Sequence, residues 1–288
     1  MTPILEISNV SKAWKGFTLN QINLSLERGY IMGFIGPNGA GKSTTIKLMM
    51  NLIRKDSGSI KIFGLDNSKH ELDIKNRIGF VLDENHFYEE LTLLEMKKII
   101  MPFYRNWDNQ AFGRYLKEFD LPGKKKIKDL SKGMKMKFSL AIALSHHAEL
   151  LVMDEPTSGL DPVARSEFLD ILSTIIQDEN KGVFFSTHIT SDLDKIADYI
   201  AFIDQGELIL SASKDQLMDY YGVIKASKEF LTPENRKHFI GIHENQFGFD
   251  ALVEDRKQAI RQFQGKLQIE KPTLEDILIY YTRRNRHA

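Results

Sequence analysis

The stretch Gly36-Pro37-Asn38-Gly39-Ala40-Gly41-Lys42-Ser43-Thr44 constrains this chain more than any other. It matches the pattern G-x-x-x-x-G-K-[ST]. The apolar run Tyr30 to Ile35 precedes it and reads as a buried strand, and Thr45 to Ile53 follows with helical spacing. Glycines let the backbone curl until several N–H groups converge on one anion, and the helix start adds the positive end of its dipole. Lys42 supplies a full charge to the β and γ phosphates of a nucleotide, and the Ser43 hydroxyl is the expected Mg²⁺ ligand. The competing account is a plain glycine-rich turn. The full match in the right strand-to-helix context disfavours it.

Composition narrows the class. The 288 residues allow one large domain with a smaller addition, or two modest domains, and an apolar share of 42% supports a sizeable core. Lys plus Arg and Asp plus Glu number 39 each, so the net charge is zero and no nucleic-acid partner is expected. There is no cysteine, which excludes disulfides and thiolate metal sites and fits a reducing compartment. Met1 to Ser8 show no basic segment followed by an apolar core, so no signal peptide is expected. No apolar run approaches the roughly 20 residues a membrane helix needs. Any membrane role would pass through a partner.

Strands are predicted at Ile4–Val10, Leu19–Leu26, Ser59–Phe63, Ile78–Leu82, Glu149–Asp154 and Gly182–Thr187, and a hairpin at Tyr199–Leu210 around Gln205-Gly206. Helical patterns cover about Thr92 to Leu121, broken at Pro102 and at 105–109, then Lys135 to Leu144 and Val163 to Asp178. Apolar strands alternating with helices imply a parallel sheet covered on both faces. Residues 222–288 read as a small α/β appendage.

Asp154 closes an apolar strand and Glu155 follows at once. An acid at the carboxyl end of a strand beside a phosphate loop is where Mg²⁺ is held, and the next carboxylate is placed to polarise the water that attacks the γ-phosphate. His188 ends the next buried strand, on the edge of a parallel sheet where ligands bind, and reads as a γ-phosphate contact. Ser131, in Leu130-Ser131-Lys132-Gly133-Met134, is a good helix N-cap, which accounts for it fully. The same geometry also suits a phosphate, through the Ser131 hydroxyl and the Gly133 backbone. A second phosphate site would be redundant unless two copies shared their nucleotides.

With these motifs in this order, and with Ser158-Gly159-Leu160-Asp161 between the acidic pair and His188, the sequence resembles the ATP-binding subunit of an ATP-binding cassette (ABC) transporter. The likeness spans about residues 4 to 220. It implies an α/β P-loop NTPase core over 1–221, with an inserted helical subdomain at about 88–145 and the appendage at 222–288. It implies ATP hydrolysis with Mg²⁺, with Lys42, Glu155 and His188 as the catalytic set and Ser43 and Asp154 on the metal. It also implies a head-to-tail dimer with a second copy or a sister ATPase, each ATP lying between one phosphate loop and the partner's signature. A separate transmembrane permease and a peripheral place on the cytoplasmic face of the cell membrane follow from the same likeness. Trp14 is implied as the aromatic that stacks on adenine, with Phe17 its rival.

Two departures from the family pattern matter. Lys132 and Met134 stand where the signature usually has Gly and Gln, a form resembling exporters of drugs, antibiotics and peptides. Asp83, followed by Glu84, stands where a Mg²⁺-contacting Gln is expected, and its carboxylate is the expected third contact to the metal beside Ser43 and Asp154. The expected work is export of a peptide, antibiotic or lipid-like substrate. A soluble ATPase of the same type, acting as regulator or sensor without transport, is the alternative.

Overall fold

The computed structural model describes residues 2–82, 87–263 and 267–287. Contacts divide the chain into two compact units, Met1–Ile189 with Lys195–Ser211, and Thr190–Asp194 with Ala212–Ala288.

Among the described residues the larger sheet has ten strands: β1 (Leu5–Trp14), β2 (Phe17–Leu26), β3 (Ile31–Ile35), β4 (Ser57–Ile62), β5 (Leu65–Asp66), β6 (Ile78–Leu82), β7 (Leu150–Asp154), β8 (Gly182–Thr187), β9 (Tyr199–Asp204) and β10 (Glu207–Ser213). Their order is β5-β4-β1-β2-β10-β9-β3-β8-β7-β6. The half containing β3, β6, β7, β8 and β9 is parallel, and its apolar runs are buried throughout β3 and β8. The other half is an antiparallel group in which β1 pairs with β2 and β4. There the residues alternate between buried and exposed, as one-faced strands do. The sheet is therefore mixed, with a parallel half and an antiparallel half.

Local chemistry sets the element ends. Gln205 and Gly206 both take positive φ, 47° and 82°, the pair of values that a two-residue hairpin turn matched to strand twist requires. Thr92 caps the helix Leu93–Ile100 in a reciprocal box with Glu95. Pro102 then confines the chain to a short 3₁₀ turn, and the Asp108 carboxylate accepts the N–H groups of Gln110 and Ala111 to start the helix Asn109–Glu118. The long helical stretch read from the sequence is thus two helices and a turn.

The second unit holds the helix Lys214–Tyr220 and a four-stranded sheet of β11 (Gly222–Ala226), β12 (Phe239–Glu244), β13 (Phe249–Val253) and β14 (Gln268–Glu270). The order β12-β13-β11-β14, antiparallel at every pairing, is the split β-α-β arrangement. Ile224, Phe249, Ala251 and Phe263 anchor one core, beside the helix Arg256–Gln262. The helix Leu274–His287 buries Leu274, Ile277 and Tyr280. It passes so close to β12 that a side chain at Gly241 would put its Cβ 2.2 Å from the Tyr280 carbonyl oxygen. A bulge in β12 falls at this glycine.

Candidate functional site

Ladder register builds the site. Ile35 pairs with Thr187, Asp154 with Ser186 and Leu82 with Asp154, so β3, β8, β7 and β6 end in one row. Whatever follows these strands gathers at one carboxyl edge, where open parallel sheets bind ligands. The phosphate-loop residues 36–41 follow β3, Glu155 follows β7 and His188 follows β8. Asp83 follows β6 in sequence and lies outside the described residues, as does Glu84.

The loop is held tightly on one side and open on the other. A Cβ at Gly36 would sit 2.2 Å from the Ile203 carbonyl oxygen, so only glycine lets the loop pass β9. Ala40 is buried and its carbonyl accepts the Gly206 N–H. Asn38 and Gly39 are exposed and Pro37 is half-buried. Gly41, at φ +114°, leads into the helix Lys42–Met49. Ser43 is exposed on its first turn and Thr44 is half-buried beside it.

Lys42 carries the central charge. Its buried Nζ donates to the carbonyls of Gly36 (2.7 Å) and Pro37 (3.2 Å) and lies 3.2 Å from Glu155 Oε1. The other Glu155 oxygen lies 2.7 Å from His188 Nδ1 and accepts the His188 backbone N–H at 3.3 Å. Glu155 itself sits at φ +50°, in the left-handed region that non-glycine residues seldom adopt. Its N–H donates to the Ser186 carbonyl at 3.1 Å, which fixes that conformation. Ser186, fully buried, also donates its hydroxyl to Asp154 Oδ1 at 2.6 Å. Ser186 therefore orients both acids of the pair. In the sequence Ser186 is only a strand residue, because the partner of its hydroxyl lies across the ladder on β7.

Asp154 keeps its second oxygen, and the Ser43 hydroxyl makes no hydrogen bond among the described residues. Both are hard oxygen donors of the kind Mg²⁺ takes. No group of three or more acidic or histidine side chains arranged for a metal occurs among the described residues. An ion taking few protein ligands and filling the rest with water and phosphate fits this donor set.

The other expected residues lie in the same unit. Trp14 is 43% exposed, with its ring centroid 6.3 Å from that of Phe17 and Lys12 Nζ 5.4 Å from its own. The Phe17 ring borders the phosphate loop, 3.1 Å from where a Cβ on Gly41 would lie. Ser131 caps the helix Lys132–Ser145 by accepting the Met134 N–H at 3.2 Å. Gly133 is buried, and a Cβ there would stand 2.9 Å from the Ala164 Cβ. Its small size is what lets this helix meet the helix Pro162–Ile175, whose own cap is Asp161. The Lys132 ammonium reaches within 3.2 Å of the Cβ position of Gly159.

The apolar segment Phe87 to Met101 divides between core and surface. Leu93 and Met96 are buried and Phe87 packs on Phe138 at 5.0 Å, whereas Tyr88, Leu94 and Ile99 are exposed, as is Phe103 just beyond.

A strand, phosphate loop and helix beside an acid pair and a histidine define a nucleotide-hydrolysing site of the ABC type. The ABC transporter family model matches residues 19–158. The bacitracin transport ATP-binding protein BcrA of Bacillus licheniformis is 33% identical over 220 residues, 75% of this chain and 72% of that protein. The linearmycin resistance ATP-binding protein LnrL of Bacillus subtilis is 30% identical, with 98% of this chain and 99% of that protein covered. A solved ATP-binding subunit of an ABC transporter superposes with TM-score 0.68 at 27% identity, over 74% of this chain and 91% of its own. The chain belongs to the ABC transporter family and is an ATP-binding, ATP-hydrolysing subunit. No helix among the described residues is long and apolar enough to cross a membrane.

Proposed function

We propose that this chain drives a separate membrane permease by hydrolysing MgATP within a head-to-tail dimer, and that the transported molecule is a peptide, antibiotic or lipid-like compound moved outward. The observation that carries the chemistry is the contact of Glu155 with both Lys42 and His188 at one sheet edge. Glu155 orients the attacking water. Lys42 and the loop N–H groups take up charge that develops on the terminal phosphate, and His188 holds Glu155 in place and lies beside that phosphate. Ser43 and Asp154 hold Mg²⁺, which when bound screens the phosphate charge. Trp14 stacks on the adenine. Ser131 and Gly133 serve the nucleotide of the partner copy, through the free end of the helix they start.

The named functions of BcrA and LnrL, together with Lys132 and Met134 in the signature, support an antibiotic-handling exporter. In this reading the exposed Tyr88, Leu94, Ile99 and Phe103 meet the permease, and the chain works peripherally on the cytoplasmic face of the cell membrane. Detergent extraction of a tagged chain tests this reading. Co-purification of one polytopic membrane protein, with ATPase activity that the membrane protein raises, supports it; a soluble ATPase with no membrane companion overturns the transport role.

A further inference from the structure

The second unit contains a cleft of about 410 Å³ that has no part in the site above. That volume suits a small organic ligand. Its exposed lining is mostly polar, over a narrow apolar patch. Phe239 pairs with Val253 across β12 and β13, and Ala259 and Phe263 close it from the helical side.

The rim is charged in an unusual pattern. Lys237 and His238 immediately precede Phe239, and Glu254 and Asp255 immediately follow Val253. Because Phe239 and Val253 are antiparallel partners, the two basic and two acidic residues leave the same end of the sheet side by side. All four line the cleft, yet no ion pair joins them. Glu254 takes the Tyr281 hydroxyl on one oxygen, and Asp255 uses one oxygen to cap the helix Arg256–Gln262. Each carboxylate keeps a second oxygen for another donor. Gln258 and Gln262, one helical turn apart, add amide groups along the helical wall.

Adjacent opposite charges over a narrow apolar patch select for a particular chemistry. A simple anion, or the phosphates of a nucleotide, would meet Glu254 and Asp255 as like charges. A simple cation would meet the Lys237 ammonium as a like charge. An α-amino acid carries an ammonium and a carboxylate on one carbon and directs its side chain away from both. We propose that this cleft binds a free α-amino acid with an apolar side chain. Its carboxylate faces Lys237 and His238, its ammonium faces Glu254 and Asp255, and its side chain lies on Phe239 and Phe263. This reading is independent of the ATP site.

Titration calorimetry of the full-length chain with L-leucine and L-phenylalanine is the test. Saturable binding is expected. N-acetyl-L-leucine, which lacks the ammonium, and L-leucinamide, which lacks the carboxylate, should each bind about tenfold more weakly or worse, the loss expected for a charge-assisted contact. Lys237→Glu, at an exposed position with no protein partner, should cost a similar factor while circular dichroism shows the fold intact. Glu254→Gln should do likewise, with Lys237→Glu the cleaner reading because Glu254 also holds Tyr281. The proposal is overturned if neither amino acid binds, if binding survives Lys237→Glu, or if N-acetyl-L-leucine binds as well as L-leucine.

Discussion

Lys42 and Glu155 form an ion pair, with Nζ 3.2 Å from Oε1 and side chains 6% and 16% exposed. An ammonium has three donors, and here Gly36, Pro37 and Glu155 take all of them. A nucleotide phosphate that engages Lys42 must replace some of these acceptors, and its negative charge also meets that of Glu155. Glu155→Gln is therefore expected to have two opposite effects. ATP should bind more tightly, because a competing charge is gone, while turnover falls about 100-fold or more with the loss of the base. Equilibrium binding and single-turnover hydrolysis measure the two separately. Wild-type turnover in this variant removes Glu155 from the reaction. Lys42→Ala should weaken nucleotide binding itself.

Sharing of nucleotides between copies has its own signature. ATP, and not ADP, should promote dimer formation, because the terminal phosphate is what Ser131 and Gly133 of the second copy are proposed to grip. A mixture of Lys42→Ala and Ser131→Arg subunits should regain activity through one intact composite site. Activity no greater than the sum of the two separate variants counts against sharing.

Ile99 and Phe103 stand exposed, Phe103 at 75%, close in sequence to the buried Leu93. Ile99→Glu with Phe103→Glu should abolish assembly with the permease and leave the ATPase rate of the isolated chain unchanged. Leu93→Glu should instead unfold the helical region, since it buries an unpaired charge. If the Ile99 and Phe103 pair of substitutions leaves assembly intact, the docking face lies elsewhere.

His146 predicts how stability depends on pH. The ring is 1% exposed and stacks on Tyr104 at 3.8 Å. Burial pushes its pKa down from the usual 6.5 to about 4. Between these values the unfolded chain binds the proton and the folded chain does not, so stability rises with pH across this window. The contribution is complete above pH 6.5 and is lost as pH falls toward 4, amounting to about 3 kcal/mol at most. Urea titrations at pH 7 and pH 5 should show the drop. His146→Phe, which keeps the stack and cannot titrate, should flatten it; an equal drop in both proteins would assign the effect to other groups.

Much of this site is legible in the sequence because its chemistry is local. The turn before Lys42, the strand ending in Asp154 and the cap at Ser131 each need only a few consecutive residues. What brings Glu155 to Lys42 and His188 is strand order, and β8 between β3 and β7 is a crossover that periodicity does not encode. Ser186 was missed for the same reason, since its role exists only across the β7–β8 ladder. The burial of Leu93 and Met96 emerges only in the structure, because an apolar helical segment does not say which of its sides faces inward. The appendage has weak punctuation, so its strands and the split β-α-β order emerge only in three dimensions.

Gly133 against Ala164 has a mechanical consequence. With 2.9 Å between the Ala164 Cβ and the position a Gly133 Cβ would occupy, and with Lys137 tied to Glu167 at 2.6 Å, the starts of the two helices are fastened like the arms of one lever. Ser131 rides on one arm and Asp161 on the other. A displacement of Ser131 toward a bound nucleotide is therefore expected to carry Asp161 with it, linking the start of one helix to the start of the other.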